Sequence, residues 1–227
     1  MAGLVKKQGY YRGSVWEWNL PTGWSCPFAQ ECLVKVDRAS GKFDVHRGSY
    51  RCYAASAERF PGVRDSRWAN FDLMKAGGRP DIPKKCKAIR IHMSGDFFSQ
   101  AYFDSWLEIC RSRPDIEFWA YTKSLNYWVA RLDQIPSNLI LTASYGGRLD
   151  HLIEKHGLKN VKIYPCAEDV EPGRPIDTND DWARIPDVNF ALLDNMKQSK
   201  SDQKAYVGKA IQTWDDPRTN REKDAES

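Results

Sequence analysis

From residue 88 to residue 193, short apolar strands alternate with amphipathic helices, and this regularity limits the fold more than any other feature of the chain. Residues 88–93 (AIRIHM) read as a strand and are followed by Ser94-Gly95-Asp96. Residues 99–112 read as a helix, with Ser99 at the N-cap position and Tyr102, Phe103, Trp106, Leu107 and Cys110 at helical spacing, and Pro114 stops it. Residues 116–121 (IEFWAY) are the next strand, with Thr122-Lys123-Ser124 as its exit. A helix over 126–132, a strand over 139–144 (LILTAS) and a helix over 149–156 come next. A strand over 161–165 (VKIYP) then ends at Cys166, and 188–193 (VNFALL) is a further strand. Strands joined by helices through short loops imply parallel pairing with right-handed crossovers. Four such repeats and a fifth or sixth strand are too few for a complete eight-unit barrel. The expected class is α/β: a partial (β/α) barrel or an open parallel sheet with helices, a doubly wound one included. In each case the loops after the strands share one rim, where ligands bind.

Upstream, residues 15–20 (VWEWNL) suit a short strand that ends in the turn Pro21-Thr22-Gly23. The following segment, Gly-Trp-Ser-Cys26-Pro-Phe-Ala-Gln-Glu-Cys32, then falls on a loop at one end of the sheet. Residues 33–51 alternate weakly, with Gly41-Lys42 as the turn of a small hairpin. Cys52 opens a run of helix formers over 53–60, and a second helical pattern runs over 63–76 to Gly77-Gly78-Arg79-Pro80. Residues 168–187, rich in Pro, Asp and Gly, read as a long loop. The expected organisation is one α/β domain over 1–215, with a three-cysteine region at 20–60 and a disordered tail at 216–227.

A net charge of +4 spread among 30 acidic residues permits nucleic acid as a partner without requiring it. Nine Trp and ten Tyr read mostly as core and groove walls, with some left to stack a ring such as a base. No apolar run approaches the roughly 20 residues that span a bilayer, and the N-terminus lacks the apolar segment of a secretory signal. No membrane role and a cytoplasmic location are expected. Thiols stay reduced in that compartment, so the six cysteines read as ligands, nucleophiles or buried apolar residues rather than as three disulfides.

Thiolate sulfur is the ligand that iron-sulfur clusters and zinc select, and Cys26, Cys32 and Cys52 share one window. Three readings are open: a four-iron cluster with one corner free, a zinc site closed by His46, or unligated thiols. Spacings of five and then nineteen residues match no compact zinc signature. On the rim, Gly95 allows close backbone approach and Asp96 can accept from an ammonium, or Asp96 and Ser99 cap the next helix. Lys123 is placed to pair with a carboxylate or phosphate, or is plainly solvated. Ser144-Tyr145-Gly146-Gly147-Arg148 is either an anion-holding loop or an ordinary turn. His92 points into or out of the sheet, Cys86 and Cys110 read as structural, and Cys166, which ends a strand on the rim, is open to a role as fourth ligand or substrate-side thiol or to none. No dinucleotide fingerprint, Walker loop, HExxH or GxSxG occurs, which leaves hydride transfer, P-loop phosphoryl transfer and serine hydrolysis without support.

The pair Cys26-Pro27, the triplet Cys52-Tyr53-Ala54 followed by Arg67-Trp68-Ala69-Asn70, the exit Ser94-Gly95-Asp96-Phe97 and the run Trp119-Ala120-Tyr121-Thr122-Lys123-Ser124 resemble a family of bacteriophage proteins known by gene-product numbers. That family is similar in turn to radical S-adenosylmethionine enzymes. The resemblance covers residues 20–165 and implies a partial (β/α) barrel in which Cys26, Cys32 and Cys52 ligate a 4Fe-4S cluster. It further implies that the open iron binds S-adenosylmethionine, lined by Ser94, Gly95, Asp96, Thr122, Lys123 and Tyr145. The 5′-deoxyadenosyl radical would then act on a nucleotide, nucleic acid or peptide. The spacing departs from the C-x3-C-x2-C loop of those enzymes, since the third cysteine here stands far beyond the second. The alternative expectation is a non-enzymatic, zinc-stabilised module contacting nucleic acid or a host protein, in the host cytoplasm if the chain is phage-encoded.

Overall fold

The computed structural model describes residues 2–7, 14–44, 50 and 52–194. His46 and the tail expected at 216–227 lie outside the described residues. Seven strands form one sheet: β1 (Val5–Lys7), β2 (Val15–Trp18), β3 (Ala88–Ile91), β4 (Glu117–Thr122), β5 (Leu139–Ser144), β6 (Asn160–Tyr164) and β7 (Phe190–Leu193). Only β1 runs antiparallel to its neighbour; β2 to β7 are parallel throughout. Helices α1 (Pro61–Lys75), α2 (Gln100–Ser112), α3 (Leu125–Val129) and α4 (His151–His156) fill the connections.

Strand order follows chain order from β1 to β7, so the sheet has no switch point and is not doubly wound. The expected α/β class is realised as a mixed α/β protein with a mostly parallel sheet. Most element ends shift by one to three residues from those read in the sequence, and three departures go further. β1 carries only three residues, too few for an alternation to register. The strand expected over 88–93 stops at Ile91: His92 still gives its N–H to the Trp18 carbonyl at 2.8 Å, the last bond of the ladder, but its backbone turns into the left-handed region (φ 65°). The helix expected over 53–60 is a 3₁₀ segment, Tyr53–Arg59.

Helix α2 shows how local sequence builds the layer. Ser99 Oγ accepts from Tyr102 N at 3.2 Å and caps the helix, and Tyr102, Phe103, Trp106, Leu107 and Cys110 are buried. Phe118 and Ala120 of β4 and Leu139, Leu141 and Ala143 of β5 meet them, together with Phe71 and Met74 of α1, Trp128 of α3 and Ile153 of α4. All four helices therefore cover one face of the sheet. Trp106 sits at the centre, edge-on to Trp18 and to Phe118 with both ring centroids at 6.3 Å. Truncating such a ring to alanine costs about 3–5 kcal/mol.

The opposite face alternates with the first, as a pleated strand requires. Val15, Ala88, Trp119, Val161 and Phe190 line it with Tyr121 and Ile140. It is covered by the segment 165–189, which contributes Trp182 and Ala183 from a 3₁₀ turn, Trp182–Arg184. Among the described residues no helix is long and apolar enough to cross a membrane.

Candidate metal centre at the strand exits

The carboxyl ends of β2, β3, β4 and β5 meet at one rim, and the cysteine-bearing segments lie across it. After β2, Leu20 N donates to the Ser94 carbonyl at 2.9 Å and Ser94 Oγ returns to the Leu20 carbonyl at 2.8 Å, which ties the exits of β2 and β3. Gly95 adopts φ 92°, and a Cβ there would lie 2.6 Å from both Leu20 Cβ and Ser25 Oγ. The close approach that Gly95 permits is therefore that of the Cys26 loop. Further along, Gln30 N and Glu31 N both reach the Gly146 carbonyl, Arg148 N reaches the Phe28 carbonyl, and Ala29 bridges Gly147, so the loop between Cys26 and Cys32 is stitched to the exit of β5.

The rim residues read from the sequence come together, and most are already engaged with one another. Asp96, 5% exposed, accepts from Thr122 Oγ1 (2.6 Å) and Phe97 N (2.7 Å) on one oxygen and from Lys123 N (2.8 Å) on the other. Burial lifts its carboxyl to about 6, against the pull of these bonds and of the Lys123 charge. Lys123 Nζ donates to Ser144 Oγ at 2.6 Å and to the carbonyls of Ser144 and Tyr145 at 3.1 and 2.6 Å. An ammonium has three donors, and all three fasten β4 to β5. Lys123 is thus neither solvated nor free to grip a phosphate. Tyr145 offers its carbonyl to Lys123, while its hydroxyl donates to Glu154. Ser99, not Asp96, caps α2.

The three thiols are half-buried and electrostatically aware of one another. Burial, then the charges of Asp96, Cys52 and Cys32, hold the Cys26 thiol well above its ordinary value. Cys52 is pushed up to about 11, first by burial and then by Cys32. Cys32 is also raised by burial, with Lys123 opposing. Such a set resists becoming three thiolates unless a positive centre joins it. Among the described residues, no three His, Cys, Asp or Glu side chains stand close enough to share a single metal ion.

Behind the thiols lies a clamp that sequence reasoning missed. Glu58 Oε1 accepts from Thr22 N (2.7 Å), Thr22 Oγ1 (2.5 Å) and Arg67 Nη1 (2.8 Å), and Arg67 Nη1 also donates to the Ala54 carbonyl at 2.9 Å. Thr22 precedes Cys26, Ala54 follows Cys52, and Thr22 Oγ1 lies 3.0 Å from Ser94 Oγ, so one ion pair joins three segments of the rim. The available signal was a glutamate and an arginine on consecutive helical segments, nine positions apart, each within an inward-facing stretch.

The remaining candidates lie apart. His92 packs against Phe97 and Tyr102 on the helix side, with Nε2 2.7 Å from the Tyr102 hydroxyl, and burial drives its imidazole down to about 3. Cys86 and Cys110 are fully buried in the helix-side core. Cys166 donates to Asp169 at 3.1 Å within the segment that covers the opposite face.

A family model described as "Gene product 88" matches residues 2–213. The chain is 32% identical over 113 residues to the Gene 88 protein of Mycobacterium phage L5, covering 46% of each chain. It is 32% identical over 131 residues to the Gene 88 protein of Mycobacterium phage D29, covering 54% of this chain and 53% of that one. The matched part thus spans about half the length of these curated relatives. No solved structure matches. These matches correct the expected kinship with radical S-adenosylmethionine enzymes: they point to phage gene product 88 proteins and to no radical enzyme family. The assignment of S-adenosylmethionine to the rim came from that kinship and loses its support with it.

Proposed function

The chain belongs to the Gene product 88 family, and we propose that it is an iron-sulfur protein in which Cys26, Cys32 and Cys52 hold a cluster at the strand exits and the rim above it acts on a nucleotide, nucleic acid or peptide. The observation that carries this reading is that three half-buried thiols are borne by segments tied together across one rim, each with its acidity suppressed by burial and two of them further by neighbouring thiols. Cationic iron would relieve that repulsion, and thiolate sulfur is the ligand that iron-sulfur clusters select. Three protein ligands leave one iron open to a small molecule, and that is the chemistry a cluster would supply. The chain's own residues do the rest: Gly95 admits the Cys26 loop, Asp96 and Lys123 lock the exits of β3, β4 and β5, and the Glu58–Arg67 pair sets Cys52 against Cys26. Winding in chain order with every helix on one face also favours a sheet curled as a partial barrel about its other face.

The test is anaerobic purification followed by iron and sulfide analysis. Close to stoichiometric iron and sulfide with a brown chromophore is expected, and it disappears when the three cysteines are changed to serine. A colourless, iron-free chain after anaerobic reconstitution overturns the reading.

One further observation favours the nucleic-acid contact of the alternative reading, without bearing on its zinc. Trp24 is 46% exposed with Lys35 Nζ 4.7 Å from its ring centre, and it leans on Trp68, over which Arg38 lies at 4.7 Å. Exposed rings interleaved with cations suit base stacking beside phosphate. Stoichiometric zinc without iron, together with single-stranded DNA binding that weakens steeply with salt, would support it.

A further inference from the structure

The sheet face turned away from the helices carries, among its apolar residues, a cluster of polar donors that the thiol centre does not use. Arg90 of β3 stands in register with Trp119 of β4, and Tyr121 lies two residues further along the same face. All three address the carboxylate of Asp180. Arg90 Nη1 is 2.7 Å from Oδ2, Trp119 Nε1 donates to Oδ2 at 3.3 Å, and Tyr121 Oη donates to Oδ1 at 2.9 Å. The guanidinium also lies 4.9 Å from the Tyr121 ring centre. Next to Tyr121 in register is Thr142, 1% exposed, whose hydroxyl is buried without a hydrogen-bond partner.

We propose that Arg90, Trp119 and Tyr121, with Thr142 beside them, form an oxyanion-binding site for the carboxylate or phosphate of a ligand, and that Asp180 occupies it as an internal stand-in. The donors and the acceptor are mounted very differently. The donors project from adjacent strands of a parallel sheet and are fixed before any ligand arrives. Asp180 comes from the irregular covering segment and is held in the left-handed region at φ 63°, where non-glycine residues are uncommon. It is also crowded, since Asp177 is buried behind it and the Asp180 charge helps push the Asp177 carboxyl up. Glu17, the register neighbour of Arg90 on the other side, limits how many negative charges the site takes, which suits one oxyanion rather than a run of them. The site also has a route to the rim. Arg90 Nη2 donates to the Tyr53 hydroxyl at 3.3 Å, Tyr53 is 42% exposed, and it directly follows Cys52. A ligand anchored by its anion at Arg90 would extend past Tyr53 towards the three thiols.

The inference does not depend on those thiols holding metal, and its test uses the metal-free full chain. Asp180→Gly removes the resident carboxylate and relieves the left-handed backbone. Acetate, with ionic strength held constant by chloride, should then raise the thermal midpoint of D180G saturably, by a few degrees. It should also move the Trp119 indole N–H resonance. Neither response is expected in the wild-type chain at the same concentrations, or in D180G combined with Arg90→Met. Phosphate in place of acetate separates the two sources: tighter acetate identifies a carboxylate ligand, tighter phosphate a phosphorylated one. If D180G does not fold, the same resonance is followed in Asp180→Asn, which keeps the shape and removes the charge. No saturable response in either variant, or an equal response without Arg90, overturns the site.

Discussion

Two buried arginine–carboxylate pairs of nearly equal length do opposite things in this molecule. Arg67–Glu58 closes at 2.8 Å and Arg90–Asp180 at 2.7 Å, and all four side chains are less than a tenth exposed. In the first pair both partners come from helical segments packed into the scaffold, and the carboxylate also takes two bonds from Thr22. In the second, a sheet arginine meets an acid delivered by an irregular segment with a left-handed backbone. Ion-pair length therefore says little about role; the mounting of each partner does. The largest effect that could break the comparison is Arg67→Ala. It leaves Glu58 charged and buried and should cost about 3–5 kcal/mol in urea unfolding. Because the same pair sets the Cys52 segment against the Cys26 loop, iron retained after reconstitution should fall in parallel, and Arg67→Lys should restore part of both. Full iron loading in a destabilised Arg67→Ala chain would show that the clamp supports the fold but not the rim.

The second prediction concerns how the covering segment is anchored. Lys159 Nζ donates to the carbonyls of Trp182, Ala183 and Ile185 at 2.9, 2.9 and 2.6 Å, and Asp177 accepts from the backbone of Asn179, Trp182 and Ala183. Desolvation holds the lysine down at about 7, against the pull of Asp177 and Asp187. Burial and the Asp180 charge hold the Asp177 carboxyl above the ordinary carboxylate range. The signs oppose. Asp177 contributes stability that is present below about pH 4 and lost as pH rises through its raised folded value. Lys159 contributes stability that is present above about pH 10 and lost as pH falls through about 7. Urea midpoints should therefore dip near neutrality, with about 4–5 kcal/mol on the alkaline limb. Asp177→Asn should flatten the acid limb and Lys159→Met the alkaline one. Asp96, also raised, adds to the acid limb with the same sign, so the difference between variant and wild type is the quantity to read. Variants whose profiles run parallel to the wild type would mean that these two groups do not hold the segment.

Periodicity made the helix-covered face legible. The spacing of Tyr102, Phe103, Trp106, Leu107 and Cys110 and the alternation in β4 and β5 predicted a layer that the structure shows with small shifts at its ends. A layer of this kind repeats every few residues, so local pattern encodes it. The rim was legible only as a set of strand exits. That Asp96, Thr122, Lys123 and Ser144 would meet follows from parallel strands in chain order, but that they would saturate one another does not. Hydrogen-bond partners separated by 21 to 27 residues leave no local trace. The Thr22 arm of the Glu58–Arg67 clamp, 36 residues from Glu58, and the Arg90–Asp180 pair escaped for the same reason, with Asp180 reaching Tyr121 from 59 residues away. Asp180 was further hidden because a loop rich in Pro, Asp and Gly reads as solvated until the fold lays it across a buried face.

Cysteine gives the finest test of whether mounting and company, rather than burial, define role. Cys110 is fully buried in the helix-side core, and burial alone lifts its thiol. Cys52 keeps some exposure and is shifted by burial together with another thiol. Cys110→Ser places a hydroxyl where an apolar thiol packed, so it should lower stability by about 1–3 kcal/mol and leave iron per chain unchanged. Cys52→Ser stands at a half-buried position and should change the metal-free urea midpoint by less than about 1 kcal/mol while removing most of the iron. The two variants thus exchange their effects between two measurements, which a single scale of burial cannot produce. If Cys52→Ser destabilised the metal-free chain more than Cys110→Ser and kept its iron, the rim thiols would be packing residues and the distinction between the two regions would fail.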